Sequence, residues 1–167
     1  MKKTYVGIDI GKRGAIAVIY PDRSIKTIKM PMTNEDINYQ SLFTLLSQTA
    51  SIDAHVVFEK LGVIFGTTKT TAFSMGYQAG AMEMACIAFK APYTKVRAVD
   101  WQKYMFEGIP DILKEGTKRR DTKAMALQAI RKWFPGLKLT FGEKATVPHD
   151  GLIDAVLIAE YARKHDL

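Results

Sequence analysis

Four carboxylates stand at positions where packing alone gives no reason for an acid. Asp9 belongs to Tyr5-Val6-Gly7-Ile8-Asp9-Ile10-Gly11, in which Val6, Ile8 and Ile10 alternate with Tyr5, Gly7 and Asp9, the period of a strand. An ionised acid within a central strand is costly to desolvate unless something positive meets it. A metal ion is one answer; backbone amides or an arginine are another, and Asp9 alone does not choose between them. Glu59 ends a short β-branched run, Ala-His-Val-Val-Phe-Glu, and ligands of open α/β sheets gather at strand carboxyl ends. Asp150 and Asp154, four apart after Pro148, share a face if a helix has begun by Asp150. Helix capping is the alternative role for Asp150, whereas Asp154 lies inside an apolar run that should pack on the sheet.

Oxygen-only donors select hard cations such as magnesium or manganese. Two such ions about 4 Å apart activate water and stabilise a leaving oxygen during in-line displacement, so phosphodiester hydrolysis is the chemistry that fits. The charge balance agrees: 24 Lys and Arg against 17 Asp and Glu give a net charge of +7, which favours a polyanionic partner. Residues Asp111 to Asp121 hold Lys114, Lys118, Arg119 and Arg120 around Gly116, a basic segment expected to be mobile and suited to phosphate contact. A lone cysteine, Cys86, rules out an internal disulfide or a thiolate zinc site. Met1-Lys2-Lys3-Thr4 leads into the first strand without an apolar leader, and no apolar run is long enough to span a bilayer, so the expected address is the cytoplasm.

The elements that must position these acids follow in order. Strand 1 turns through Gly11-Lys12-Arg13-Gly14 into a second strand, Ala15 to Tyr20, and Pro21-Asp22-Arg23 turns into a third, Ser24 to Met30, whose Lys26 and Lys29 suit an edge. Leu42, Leu45 and Leu46 mark an amphipathic helix that covers one sheet face. Ala54 to Glu59 is the fourth strand. Val63, Ile64 and Phe65 lie in a glycine-flanked loop, either packed on the body or serving as a wedge that unstacks bases. Thr70 to Ala91 forms the longest helix, apolar nearly all round and so expected to be buried on more than one side; Gly76 and Gly80 would admit the sheet or a second subunit. A fifth strand runs from Tyr93 to Val99, a helix from Thr122 to Phe134, and the last helix follows Pro148. At 167 residues the chain is expected to form one domain.

Together these acids resemble the active site of the RNase H-like nucleases. The chain is most similar to RuvC-type Holliday junction resolvases, in particular the small phage versions. The likeness rests on Gly7-Ile8-Asp9-Ile10-Gly11 with Gly14, Val57-Phe58-Glu59, Gly76-Tyr77-Gln78-Ala79-Gly80, Val99-Asp100-Trp101-Gln102-Lys103, and Asp154-Ala155-Val156-Leu157-Ile158-Ala159. It implies an α/β fold, a five-stranded mixed sheet with an antiparallel meander and then parallel strands, flanked by helices. It further implies that Asp9, Glu59, Asp150 and Asp154 hold two divalent ions, Mg2+ or Mn2+, and that Lys123 assists at the scissile phosphate. The activity implied is that of a homodimeric crossover junction endodeoxyribonuclease, cutting opposing strands of a four-way DNA junction in the cytoplasm, the host's if the chain is phage-encoded. Bacterial members space their last acids three apart, which here falls on Gly151, so His149 competes with Asp150 as ligand or proton shuttle. The aromatic those members carry after the strand 4 acid has its nearest counterpart in Phe65. Other readings are an RNase H-like nuclease acting on a flap or RNA-containing substrate, and a junction-binding protein that does not cleave. Asp9-Ile10-Gly11 also resembles the phosphate loop of actin-like sugar kinases, but that fold needs a second such domain and no second loop is present.

Overall fold

The structure, a computed structural model, describes residues 3–50, 53–62, 66 and 68–167. Its elements are β1 (Thr4–Asp9), β2 (Ala15–Ile19), β3 (Ile25–Lys29), α1 (Tyr39–Ala50), β4 (Ala54–Glu59), α2 (Lys69–Ala88), β5 (Tyr93–Val96), α3 (Ala98–Met105), α4 (Thr122–Trp133) and α5 (Asp150–His165). The strands form one mixed sheet in the order β3-β2-β1-β4-β5. β1 to β3 are the antiparallel meander, and β4 and β5 add to β1 in parallel. This is the five-stranded mixed sheet the sequence implied, with the lysine-bearing β3 at an edge.

Alternation along β1 divides the core. Val6 and Ile8 face α1 and α2 with Val56, Phe58, Leu42, Leu46, Met82 and Cys86, all buried. Tyr5, with Val57 of β4, faces the opposite layer, where α5 lies across the sheet and α3 and α4 pack on it through Trp101, Met105, Met125 and Ile130. Because side chains alternate with a period of two, Asp9 and Glu59 point to that same α5 side. The register agrees: Ile8 pairs with Phe58, and Asp9 and Glu59 are the next residues of two parallel neighbours. Glycines seat α5. A Cβ at Gly7 would run into the Ala155 carbonyl oxygen and lie 2.5 Å from the Ala159 nitrogen. One at Gly151 would collide with the Arg13 carbonyl oxygen and sit 2.8 Å from Asp9 Oδ2. Helix and strand therefore touch backbone to backbone, beside the acids.

Several expectations need correction. β5 ends at Val96 rather than Val99, because Arg97 is the N-cap of α3 and its guanidinium grips Asp100 in the first turn with two bonds of 2.7 Å. α2 is buried on one side only, through Gln78, Met82, Ala85 and Cys86, while Phe73 (76% exposed), Tyr77, Met84 and Ile87 face outward. Its apolar residues are spread round the helix and the sheet covers only one stripe of them. Space beside Gly76 and Gly80 is open, so the sheet does not use them for close approach. The 111–121 segment has a defined conformation: Leu113 bridges Arg120, the Lys114 amide donates to Arg119 at 2.9 Å, Arg120 pairs with Asp111, and Gly116 turns the chain at φ +68°. The loop wedge expected at Val63, Ile64 and Phe65 lies outside the described residues. Among the described residues no helix is long and apolar enough to cross a membrane.

Candidate active site

The four acids reach the site from three elements. Asp9 is the last residue of β1 and Glu59 the last of β4, so both strands deliver their carboxylates at the same end of the sheet. Asp150 and Asp154 come from the first turns of α5. The helix starts as it does because His149 is its N-cap, Nδ1 accepting from the Leu152 amide at 3.1 Å. That arrangement frees Asp150 from capping and places it inside the helix, on the face of Asp154. It also commits one ring nitrogen of His149, whose edge packs on Phe141 at 5.0 Å between centroids. Burial, with Lys29 and Arg13 nearby, holds His149 below its ordinary pKa.

Burial first, and repulsion between carboxylates second, set the electrostatics. Burial, reinforced by Asp154, Glu59 and Asp150, pushes Asp9 up to about 8, against only the downward pull of Lys123. Asp154 rises to about 7 through burial and the charges of Glu59 and Asp150. Burial also raises Glu59, and the indole of Trp101 opposes it. Asp9 and Asp154 thus each lie within reach of neighbouring carboxylates, with Lys123 as the cation that opposes the rise. Lys123 of α4 is the cation at hand, its Nζ 2.6 Å from Asp150 Oδ2.

Asp9, Asp150, Asp154, Lys123 and His149 line an open cavity of about 810 Å3, together with Lys12, Arg13 and Lys29. Glu59 is not part of that lining; half-buried at the end of β4, it accepts from Trp101 Nε1 of α3 through Oε1 at 2.8 Å. Lys118, Arg119 and Arg120 are not in this wall; Arg120 lines a separate cleft of about 650 Å3 between α3 and α4, with Gln102, Lys103 and Thr122. Besides Lys123 of α4, the cations of the cavity come from the β1–β2 turn and the end of β3. Lys12 and Arg13 sit in a turn that reads as a mere connection, and only the neighbouring Gly14, which touches Asp9 and Gly151, signals that the turn abuts the site. Trp101 was visible as part of a motif, but its partner lies in a different strand.

The donor set suits a divalent cation. It is all oxygen apart from His149, it repels itself, and it retains protons near neutrality that a metal would displace. Among the described residues no three such side chains yet converge closely enough to hold an ion as they stand.

With the site in place, the architecture defines a class: this is the RNase H-like fold of the RuvC-type proteins. RuvC of Thermus thermophilus in complex with Holliday junction substrate superposes with a TM-score of 0.58 at 16% identity, over 98% of this chain and 95% of that one. A second Thermus thermophilus RuvC structure gives 0.52 at 15%, covering 98% and 96%. The yeast mitochondrial Holliday junction resolvase Ydc2 gives 0.53 at 14%, covering 98% of this chain and 78% of its own. No protein-family model and no curated protein matches the sequence.

Proposed function

We propose that this protein is a divalent-metal-dependent endonuclease that resolves branched DNA by paired phosphodiester hydrolysis on opposing strands. The observation that carries the reading is the cluster of Asp9, Asp150 and Asp154 at the wall of a cavity rimmed by Lys12, Arg13, Lys29 and Lys123, with Glu59 among the charges that raise Asp9 and Asp154. A protein that only bound DNA would gain nothing from repelling acids facing phosphate. The superposition on two kinds of Holliday junction resolvase points the same way.

In this reading the four acids hold magnesium or manganese, two ions per site, which supply the activated water and the neutralisation of phosphate. The chain's own part is positional. β1 and β4 present Asp9 and Glu59 in register, α5 sets Asp154 over them, and Lys123 Nζ, held at Asp150, stands ready to move to a phosphate oxygen. Arg13, Lys12 and Lys29 steer the backbone into the cavity, and Lys118, Arg119 and Arg120 hold a more distant stretch of the same DNA. The 167 residues act as one nuclease domain, in the cytoplasm.

Cutting two strands calls for two sites, and α2 supplies a surface for pairing. Phe73, Tyr77, Met84 and Ile87 are exposed along it, with open space at Gly76 and Gly80 for a second helix. Gly80→Trp is expected to give a monomer by light scattering; an unchanged dimer mass would remove α2 from the interface.

The decisive assay offers labelled four-way junction, flap, linear duplex and RNA–DNA hybrid with magnesium, manganese or chelator. Symmetric, metal-dependent nicks confined to the junction are expected. Equal cutting of flap or hybrid would move the assignment to another polynucleotide, and tight junction binding with no nicking in either metal would overturn hydrolysis altogether.

A further inference from the structure

Trp101 is fully buried on α3, wedged edge-on against Phe106 with centroids 5.9 Å apart, and its only polar atom is spent on Glu59. Burial of an indole N–H without an acceptor is costly, and many acceptors would serve; here the acceptor is one oxygen of Glu59, the acid that ends the strand beside Asp9. The bond is long-range in sequence and short in space, 2.8 Å. Packing fixes the indole plane, so the Glu59 carboxylate is fixed with it: Oε1 is tied back toward α3 and Oε2 is left as the oxygen able to turn toward Asp9 and Asp154. Glu59 sits at the end of a strand, followed directly by loop, and no other side-chain hydrogen bond to it is formed among the described residues.

We propose that Trp101 is a positioning residue for the metal site, orienting Glu59 so that a single carboxylate oxygen faces the cation. The inference rests on the nuclease reading above and deepens it by assigning a role to α3, an element that contributes no acid to the cluster. Groups that hydrogen-bond a ligand from behind fix its rotamer before the ion arrives, and their loss characteristically weakens metal binding about 10- to 100-fold.

The test is calorimetric titration of Mn2+ into the DNA-free protein for the wild type, Trp101→Phe, Glu59→Gln and the double variant. Trp101→Phe keeps most of the packing and removes the donor. It is expected to raise the Mn2+ Kd about 10- to 100-fold, while adding it to Glu59→Gln costs nothing further, because the side chain it orients is already disabled. An unchanged Kd, or an equal loss on top of Glu59→Gln, would overturn the assignment. Met105→Leu, buried on the same helix and bonded to no acid, should leave Mn2+ affinity unaltered; a matching loss there would make the effect one of packing and overturn it too. Should Trp101→Phe not fold, Trp133→Phe leaves Trp101 as the single emitter: magnesium should shift its emission, and Glu59→Gln should abolish the shift. No shift in that variant would also overturn the proposal. A wild type that binds Mn2+ while Trp101→Phe is unaffected defeats this inference alone, whereas a wild type that neither binds Mn2+ nor nicks a junction defeats the nuclease reading.

Discussion

Asp154 and Glu160 lie on the same helix, the first half-buried and the second fully buried, and they are treated oppositely. Glu160 is 0% exposed, and Arg163, one turn on, closes a two-pronged pair with it at 2.7 Å for each bond, with Arg23 3.9 Å away. A planar guanidinium satisfies both carboxylate oxygens, so the acid serves the fold. Around Asp154 the near charges are Glu59 and Asp150, and the only cation among the charges acting on it is Lys123, which is bonded to Asp150. Burial alone therefore does not tell the two acids apart. The sign of what surrounds each does, and α5 carries one example of each kind.

The comparison can be broken most forcefully at the acidic end. Asp9→Asn should lower junction cleavage by about a thousandfold, roughly 4 kcal/mol of transition-state stabilisation, while gel-shift affinity for the junction stays equal or rises. Near-normal turnover would dissolve the distinction between the two ends. Glu160→Gln should do the reverse, costing about 3 kcal/mol of stability by urea unfolding because a buried guanidinium–carboxylate pair is broken, with cleavage per folded molecule unchanged. Loss of activity without loss of stability would place Glu160 in the functional machinery instead.

Proton linkage separates the ends more gently. Asp9 at about 8 and Asp154 at about 7, both raised from 3.8, hold protons in the folded chain that the unfolded chain has already released. Folded stability contributed this way is present below about pH 4 and drains away as pH climbs to about 8. In chelator the melting temperature should thus fall over that range, and millimolar magnesium or Asp9→Asn should flatten the fall. A curve already flat in chelator would mean that the acids do not repel. The smallest effect is expected at Arg23→Ala, under about 0.5 kcal/mol, since that side chain is well exposed and Arg163 already satisfies Glu160. A larger loss would make Arg23 the true counter-ion.

Local pattern was enough for much of this. The alternation in β1, the glycine-bearing turn into β2 and the β-branched run of β4 depend on neighbours in sequence, and these elements formed within a residue or so of where the pattern set them. The acids were readable because each interrupts an apolar pattern. By that same rule Glu160, set between Ala159 and Tyr161, should have raised the same question as Asp154; it passed unremarked, and only the folded chain shows that Arg163 answers it. Trp101 against Glu59, and Lys123 against Asp150, depend on tertiary contacts between elements whose packing angles no local periodicity encodes. The expectation that α2 would be buried on more than one side failed for a related reason: hydrophobicity measures what a helix prefers to cover, and a single chain does not always supply the cover.

The backbone contact at Gly7 has a further consequence for anyone wishing to alter this protein. With no side chain acting as a shim between β1 and α5, the span from Asp9 to Asp154 is fixed by two main chains and has little elastic give. On the metal-dependent reading proposed above, directed evolution toward a larger ion such as calcium would find that gap nearly unadjustable, and would have to make room through Glu59 and the α3 layer that its Trp101 bond reaches.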